Sequence, residues 1–160
     1  MYRQDISRSG KSKLPPVYEL VPADFEAPAV LEHERFRLRM LTVDDVVADF
    51  DALCSRVDRD GKPQPPFVAT VRENLIDLGW HQKEFELRRS FAYTVVAPDE
   101  SEVLGCVYVD PSDTHDARVR MWVRRSAWED GLDPLLEQAV REWIATRWPF
   151  RDVSFAERDP

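Results

Sequence analysis

Residues 121–144, MWVRRSAWEDGLDPLLEQAVREWI, decide the fold of this chain. They begin inside a segment, residues 118–123, in which apolar and polar side chains alternate, and this alternation predicts a β-strand. Further on, apolar residues recur at helical spacing and predict an amphipathic helix. Asp133 followed by Pro134 predicts that Asp133 caps this helix and that Pro134 is its first residue. A loop with one glycine, Gly131, therefore joins the strand to the helix.

Two helices are predicted upstream, after a strand at residues 36–40. Thr42 offers the cap of the first helix, whose apolar residues continue at helical spacing as far as Val57. Thr70 and Glu73 form a capping-box pattern that predicts the start of the second helix. The face predicted to be buried in that second helix carries Val71, Leu75, Leu78 and Phe85.

The rest of the predicted sheet comes from β-branched and aromatic runs. Residues 91–97 and 103–109 flank a short polar turn and predict a β-hairpin, to which residues 118–123 add a third strand. Residues 152–156 predict a final strand after the last helix. The sequence thus predicts an α+β fold.

Composition limits the classes of function. The chain has 160 residues, of which 43% are hydrophobic, and this suits one globular domain. Its net charge of −8 argues against binding to nucleic acids or to anionic membranes. No apolar run approaches the roughly 20 residues that cross a bilayer, and the N-terminus lacks the apolar core of a signal peptide, so we expect a cytoplasmic protein. Cys54 and Cys106 are predicted to be reduced thiols in the core.

The N-terminal part differs from the rest in composition. Residues 1–16 are polar and basic, and residues 17–34 contain apolar side chains interrupted by Pro22 and Pro28. We therefore predict a partly disordered arm at residues 1–34, in which residues 17–34 are an extended segment that lies over the core or mediates dimerisation. The compact domain is predicted at residues 35–160.

The order strand, helix, helix, three antiparallel strands, helix, strand resembles that of the GNAT N-acetyltransferase family, as does FRLRMLTVDD at the start of the compact domain. The resemblance covers roughly residues 35–158. It implies a mixed, mostly antiparallel twisted sheet with helices on both faces. It also implies transfer of an acetyl group from acetyl-coenzyme A to a small-molecule amine.

In that family, a Q/R-x-x-G-x-G/A loop between the fourth strand and the next helix holds the pyrophosphate of the cofactor. Aligned on this chain, the three key positions fall on Trp128, Gly131 and Asp133, so only the middle one matches. A carboxylate at Asp133 is expected to repel a pyrophosphate. An alternative therefore stays open, in which the protein is a non-catalytic GNAT-like dimerising or ligand-binding module with a degenerate cofactor loop.

The resemblance also implies which residues would contact the cofactor. The family's fourth strand splays from its neighbour and pairs with the pantetheine arm, and its backbone amides, here those near Val123, stabilise the oxyanion. Arg124 and Arg125 would attract an anionic nucleotide or else pair with Glu129 and Asp130. The implied cofactor residues are Trp122, Val123, Arg124, Arg125, Gly131, Leu132, Asp133 and Leu135. Trp122 alternatively packs under a helix.

Two residues are candidates for proton transfer, Tyr108 and His115, which lie at the end of a predicted strand and in the loop after it. The alternatives are a core tyrosine and a solvated loop histidine. His33 and His81 have no cysteine or second histidine at ligand spacing, so no metal site is predicted.

Members of the family continue beyond the fifth strand, whereas this sequence stops at Pro160. The expected consequence is an exposed sheet edge, which favours a homodimer. Either the acceptor side of the site is missing, or residues 17–34 or a partner subunit fill the space.

Overall fold

The computed structural model describes residues 19–160, and within them the chain forms one seven-stranded sheet and four α-helices. The strands are β1 (Val30–Glu32), β2 (Arg37–Met40), β3 (Arg56–Val57), β4 (Phe91–Val96), β5 (Val103–Asp110), β6 (Ala117–Arg124) and β7 (Val153–Phe155). The helices are α1 (Val46–Leu53), which follows a short 3₁₀ turn, α2 (Val71–Glu86), α3 (Arg125–Glu129) and α4 (Leu132–Arg147).

The sheet has the order β1-β2-β4-β5-β6-β3, and β7 also pairs with β6. All neighbours are antiparallel except β6 and β7, which run parallel. Helix α4 packs on one face through a core that includes Leu136, Val140 and Trp143. Helices α1 and α2 pack on the other through Leu53 and Leu78. The predicted α+β fold, with a mostly antiparallel sheet between helices, is confirmed.

Helix α1 ends four residues before Val57, so the prediction that Val57 belongs to this helix was wrong. The chain turns at Ser55, whose backbone N–H donates to the carbonyl of Ala52. Val57 is then buried by pairing with Val123 of β6. The same turn exposes Cys54, contrary to prediction, whereas Cys106 is buried as expected.

Helix α2 begins at the predicted cap, where the Thr70 hydroxyl accepts a hydrogen bond from the Glu73 backbone N–H at 3.1 Å. Its predicted buried face is confirmed at Leu78 and in part at Phe85, but Val71 and Leu75 are 41% and 46% exposed. Polar residues replace them on the inside. Asn74 is fully buried and donates to the Val46 carbonyl of α1 and to the carboxylate of Asp49.

Residues 19–34 pack on the domain, as predicted for an extended segment that lies over the core. β1 pairs with β2, Val21 is buried, and the Tyr93 hydroxyl donates to the Pro28 carbonyl at 2.7 Å. Only β1 lies at the edge of the sheet opposite to β7, whereas Leu20 and Pro22 line a surface depression with Asp116 and Arg151. The predicted disorder at residues 1–16 lies outside the described residues. No helix in residues 19–160 is long and apolar enough to cross a membrane.

Candidate functional site

Strands β6 and β7 separate after a short paired stretch. They pair only at the first three residues of β6. The last hydrogen bond between this part of the chain and β6 runs from the Ala156 N–H to the Val119 carbonyl at 3.1 Å. The far end of the same edge is covered by β3, which pairs with Val123 and Arg124. Residues 120–122 are left between the two partners and open on a cavity of about 170 Å³.

The backbone of Met121 faces this cavity. Two residues show which backbone groups of β6 point toward β3 and β7. The Val119 carbonyl accepts a hydrogen bond from Ala156, and the Arg125 N–H donates to the Ser55 carbonyl at 2.9 Å. Successive residues of a strand point their backbone N–H and C=O groups to opposite edges. Met121 lies two residues after Val119, so its backbone groups point to the same edge and face the cavity. Within residues 19–160, neither β3 nor β7 pairs with it. The resemblance implies that backbone amides near Val123 stabilise the oxyanion. The backbone of Val123 itself is paired with β3.

Tyr108 of β5 lines the cavity and is held as a neutral phenol. Its hydroxyl accepts a hydrogen bond from the indole Nε1 of Trp122 at 3.1 Å, and both side chains are buried. Burial raises the pKa of Tyr108 well above its usual value. Core packing and a place beside the cleft are the two alternatives for Tyr108 and Trp122. Each residue packs in the core with one side and borders the cavity with the other.

A polar cluster lies behind Tyr108, between the sheet and helices α1 and α2. The ring of His81 lies 5.2 Å from that of Tyr108, and its Nε2 lies 3.5 Å from a carboxylate oxygen of Asp77. Asp49 accepts a hydrogen bond from Asn74 at 2.9 Å, and burial raises the pKa of Asp49 to about 6. Among the described residues, the buried Nδ1 of His81 has no hydrogen-bond partner.

The start of α4 differs from prediction in a way that alters its electrostatics. Gly131, in a left-handed conformation, is the N-cap, and Asp133 is the second helical residue, so neither Asp133 nor Pro134 has its predicted role. Asp133 is 4% exposed and bonds to Arg158 through both carboxylate oxygens, at 2.7 and 2.9 Å. The sequence could not show this partner, which lies 25 residues further on. The charge that was expected to repel a pyrophosphate is therefore paired inside the protein.

At the start of α4, Gly131 is exposed, whereas the first two helical residues, Leu132 and Asp133, are buried. A methyl group built on Gly131 would meet no other described atom within 4 Å. Leu132 is buried and Leu135 is half-buried, so they pack α4 on the domain. Open space beside a helix N-terminus suits an anionic group.

The middle of the expected cofactor path is covered by the chain itself. β3 occupies the edge of β6 at Val123, and the loop after β3 is held by Trp128 of α3, whose Nε1 donates to the Arg59 carbonyl at 3.0 Å. The indole ring also packs against Gly61. In this arrangement the edge of β6 at Val123 does not fit a pantetheine arm, whereas Gly131 leaves open space before α4.

Arg124, Arg125 and His115, the other predicted site residues, make contacts of their own. The guanidinium of Arg124 bonds to Asp51 and Glu102 at 3.0 and 3.1 Å, so its predicted pairing with Glu129 or Asp130 is not observed. Arg125 contributes its backbone N–H to Ser55. His115 is exposed, bonds to the Thr114 hydroxyl and lines a different surface depression.

Sequence reasoning missed three residues of this region. Arg56 and Arg158 come from segments distant in sequence, and only the sheet pairing brings them to the cavity. His81 follows Leu78 by three residues on the buried face of α2, and this spacing was a signal that could have placed it.

Solved structures resemble this fold. A protein from Vibrio cholerae assigned as a ribosomal-protein-serine acetyltransferase aligns with a TM-score of 0.64 and 12% identity over 78% of this chain and 71% of its own. RimL, the ribosomal L7/L12 alpha-N-protein acetyltransferase in complex with coenzyme A, gives 0.57 and 15% over 78% and 72%. A GNAT-family acetyltransferase from Bacillus anthracis gives 0.55 and 15% over 78% and 70%.

No protein-family profile and no curated protein sequence matches the chain. The likeness is therefore one of fold: this chain has the fold of the GNAT acetyltransferases, in a divergent form.

Proposed function

We propose that this protein is a GNAT-like N-acetyltransferase that moves an acetyl group from acetyl-coenzyme A to an amine. The observation that carries the proposal is the separation of β7 from β6 after Val119, which leaves the backbone of Met121 facing a cavity. In the resembling family, the acyl donor lies where these two strands part. Fold alone does not establish an activity, and the groups at the cavity supply the further support.

Two donors in the cavity suit acyl transfer. The N–H of Met121 is available for the oxyanion that forms when an amine adds to a thioester carbonyl. Tyr108 keeps its proton, because burial raises its pKa, and its side chain lines the cavity, so it is our candidate to pass a proton to the leaving group. Acetyl-coenzyme A would supply the thioester.

The proposal requires β3 to leave the edge of β6. β3 has two residues, and its release costs a few hydrogen bonds at about 1 kcal/mol each and the burial of Val57. A total on the order of 4 kcal/mol lowers the apparent affinity about a thousandfold without abolishing it. A dissociation constant of roughly tens to hundreds of nanomolar for the freed edge of β6 thus becomes an observed constant of roughly tens to hundreds of micromolar.

A second candidate function is a non-catalytic, ligand-binding module with the same fold. The pairing of β3 with Val123 and the packing of Trp128 on Gly61 favour it, because both close the path that the cofactor would take. The two candidates differ in whether β3 moves.

Calorimetric titration with acetyl-coenzyme A separates the candidates. The Trp128→Ala variant removes the side chain that holds the loop after β3, so we expect it to bind about tenfold more tightly than the natural sequence. Trp80→Ala changes an exposed tryptophan of α2 and is the matched control, with unchanged affinity expected. Absence of binding to both the natural sequence and Trp128→Ala at about 5 mM cofactor would overturn the proposal in favour of the second candidate.

A further inference from the structure

The cavity between β3, β6 and β7 contains two arginines whose positions are fixed by different contacts. Arg120 of β6 donates from Nε to Asp110 at 2.8 Å, and its guanidinium carbon lies 4.4 Å from the centre of the Tyr108 ring. Arg56 of β3 donates from Nε to the Pro65 carbonyl at 2.8 Å, and its guanidinium carbon lies 3.9 Å from the centre of the Phe67 ring. Each group is thus bonded at one end and stacked on one face.

The outer ends of both guanidinium groups remain available. In residues 19–160, no protein group accepts a hydrogen bond from the Nη atoms of Arg56 or Arg120. Both arginines line the same cavity. A fork of guanidinium N–H groups matches the two oxygens of a carboxylate.

The charges around Arg56 are unbalanced. Within the described residues, no carboxylate oxygen forms an ion pair with it, although Glu157 lines the same cavity from the exposed side. Burial and the nearby charge of Arg120 lower the pKa of Arg56. A cation that is partly removed from water beside a second cation is stabilised by an anion placed between them.

Apart from Glu157, the other charged groups that line the cavity have hydrogen-bond partners within residues 19–160. Asp58 accepts hydrogen bonds from two backbone N–H groups of its own loop, and Arg59 donates to the Arg158 carbonyl. Arg158 is paired with Asp133 and Glu137. Arg56 has no bonded carboxylate among these residues, and its free Nη groups suit the two oxygens of one carboxylate.

We propose that this cavity binds the carboxylate of a small organic acid between the guanidinium groups of Arg56 and Arg120. The volume of about 170 Å³ limits the ligand to a few non-hydrogen atoms beyond the carboxylate. The binding site itself rests only on the two arginines.

The test is an NMR titration of the arginine Nε–H signals with propionate, without an acyl donor. Propionate is expected to shift the signals of Arg56 and Arg120 together and saturably, with a dissociation constant of roughly millimolar, as befits so small a ligand. Propionamide has the same shape without the charge and is expected to leave both signals unchanged.

Variants give the test its specificity. Arg56→Gln is expected to weaken propionate binding at least about tenfold, and Arg56→Lys to weaken it less, because lysine keeps the charge but loses the fork and the stacking. Arg118→Gln removes an exposed arginine two residues from Arg120 and is the matched control, with unchanged binding.

Three results would overturn the inference. They are no saturable shift at about 50 mM propionate, equal shifts with propionamide, and tighter binding of inorganic phosphate than of propionate. Because no acyl donor is present, failure here leaves the proposed acetyl transfer standing, and failure of coenzyme A binding leaves this site standing.

Discussion

A long-range contact gives Asp133 a different role from the one that its local sequence predicts. An aspartate before a proline predicts a helix cap with an exposed charge, but here the carboxylate turns inward to Arg158. The ion pair is buried on both sides, so neither partner is available to a ligand. The electrostatic objection to an anion at the start of α4 is thereby removed.

Replacement of Asp133 by alanine is expected to lower the free energy of unfolding by about 3 kcal/mol, because Arg158 stays buried with only Glu137 as its partner. Urea denaturation measures this loss. Asp130→Ala, three residues earlier and exposed, is the control and is expected to change stability by less than about 0.5 kcal/mol. An unfolding free energy that Asp133→Ala leaves intact would mean that the buried pair does not form.

Asp49 makes stability depend on pH. Its pKa is about 6 in the folded protein, above the usual 3.8 of an aspartate, because burial disfavours the charged form by more than the hydrogen bond from Asn74 favours it. Repulsion from Asp45 and Asp77 also raises this pKa, and His81 lowers it. The folded state therefore binds a proton more tightly than the unfolded state. The stability that this proton provides is present below pH 4 and is lost as the pH rises through 6.

Asp49→Asn removes this titration, and we expect it to raise stability by about 2–3 kcal/mol more at pH 8 than at pH 4. Asparagine keeps an oxygen that accepts the bond from Asn74. Urea unfolding of both proteins at the two pH values is the measurement, and Asp44→Asn, exposed in the 3₁₀ turn before the same helix, is the control. Equal effects of Asp49→Asn at both pH values would contradict a raised pKa.

At the scale of elements, those with strong local signals were predictable. The Thr70 and Glu73 pair fixed the start of α2, and the two apolar runs around a polar turn fixed the β4–β5 hairpin. β3 was not predictable, because two residues carry no periodicity and Val57 continues the apolar spacing of α1. Its place depends on pairing with Val123, a partner distant in sequence.

The loop after β3 is held by a close contact that can be measured. Gly61 has a φ of +81°, and a methyl group added to it would lie 2.7 Å from the Trp128 ring. Gly61→Ala is expected to cost about 3 kcal/mol in the natural sequence, but only about 1 kcal/mol in the Trp128→Ala background, where backbone strain alone remains. A double-mutant cycle by chemical denaturation gives the difference. Equal costs in both backgrounds would show that the loop and α3 are not in contact.

At the scale of the whole molecule, the order of elements was sufficient to predict the fold, whereas the site depended on contacts that the sequence does not display. The meander, the last helix and the final strand appear in the predicted order. The cavity is formed where β3, β6 and β7 meet, and β3 and Arg158 reach it only through the folded chain. This explains why Trp122 and Tyr108 were identified and Arg56 was not.

The central claim is that the acyl donor binds between β6 and β7 after β3 leaves, and residue-resolved hydrogen exchange tests it most directly. With saturating acetyl-coenzyme A, the Val57 amide is expected to exchange at least about tenfold faster, because its pairing with Val123 is lost, while the Met121 amide exchanges more slowly. The amides of β4, in the centre of the sheet, serve as the internal reference. Unchanged exchange at Val57 and Met121, or stronger protection at Val57, would contradict the account.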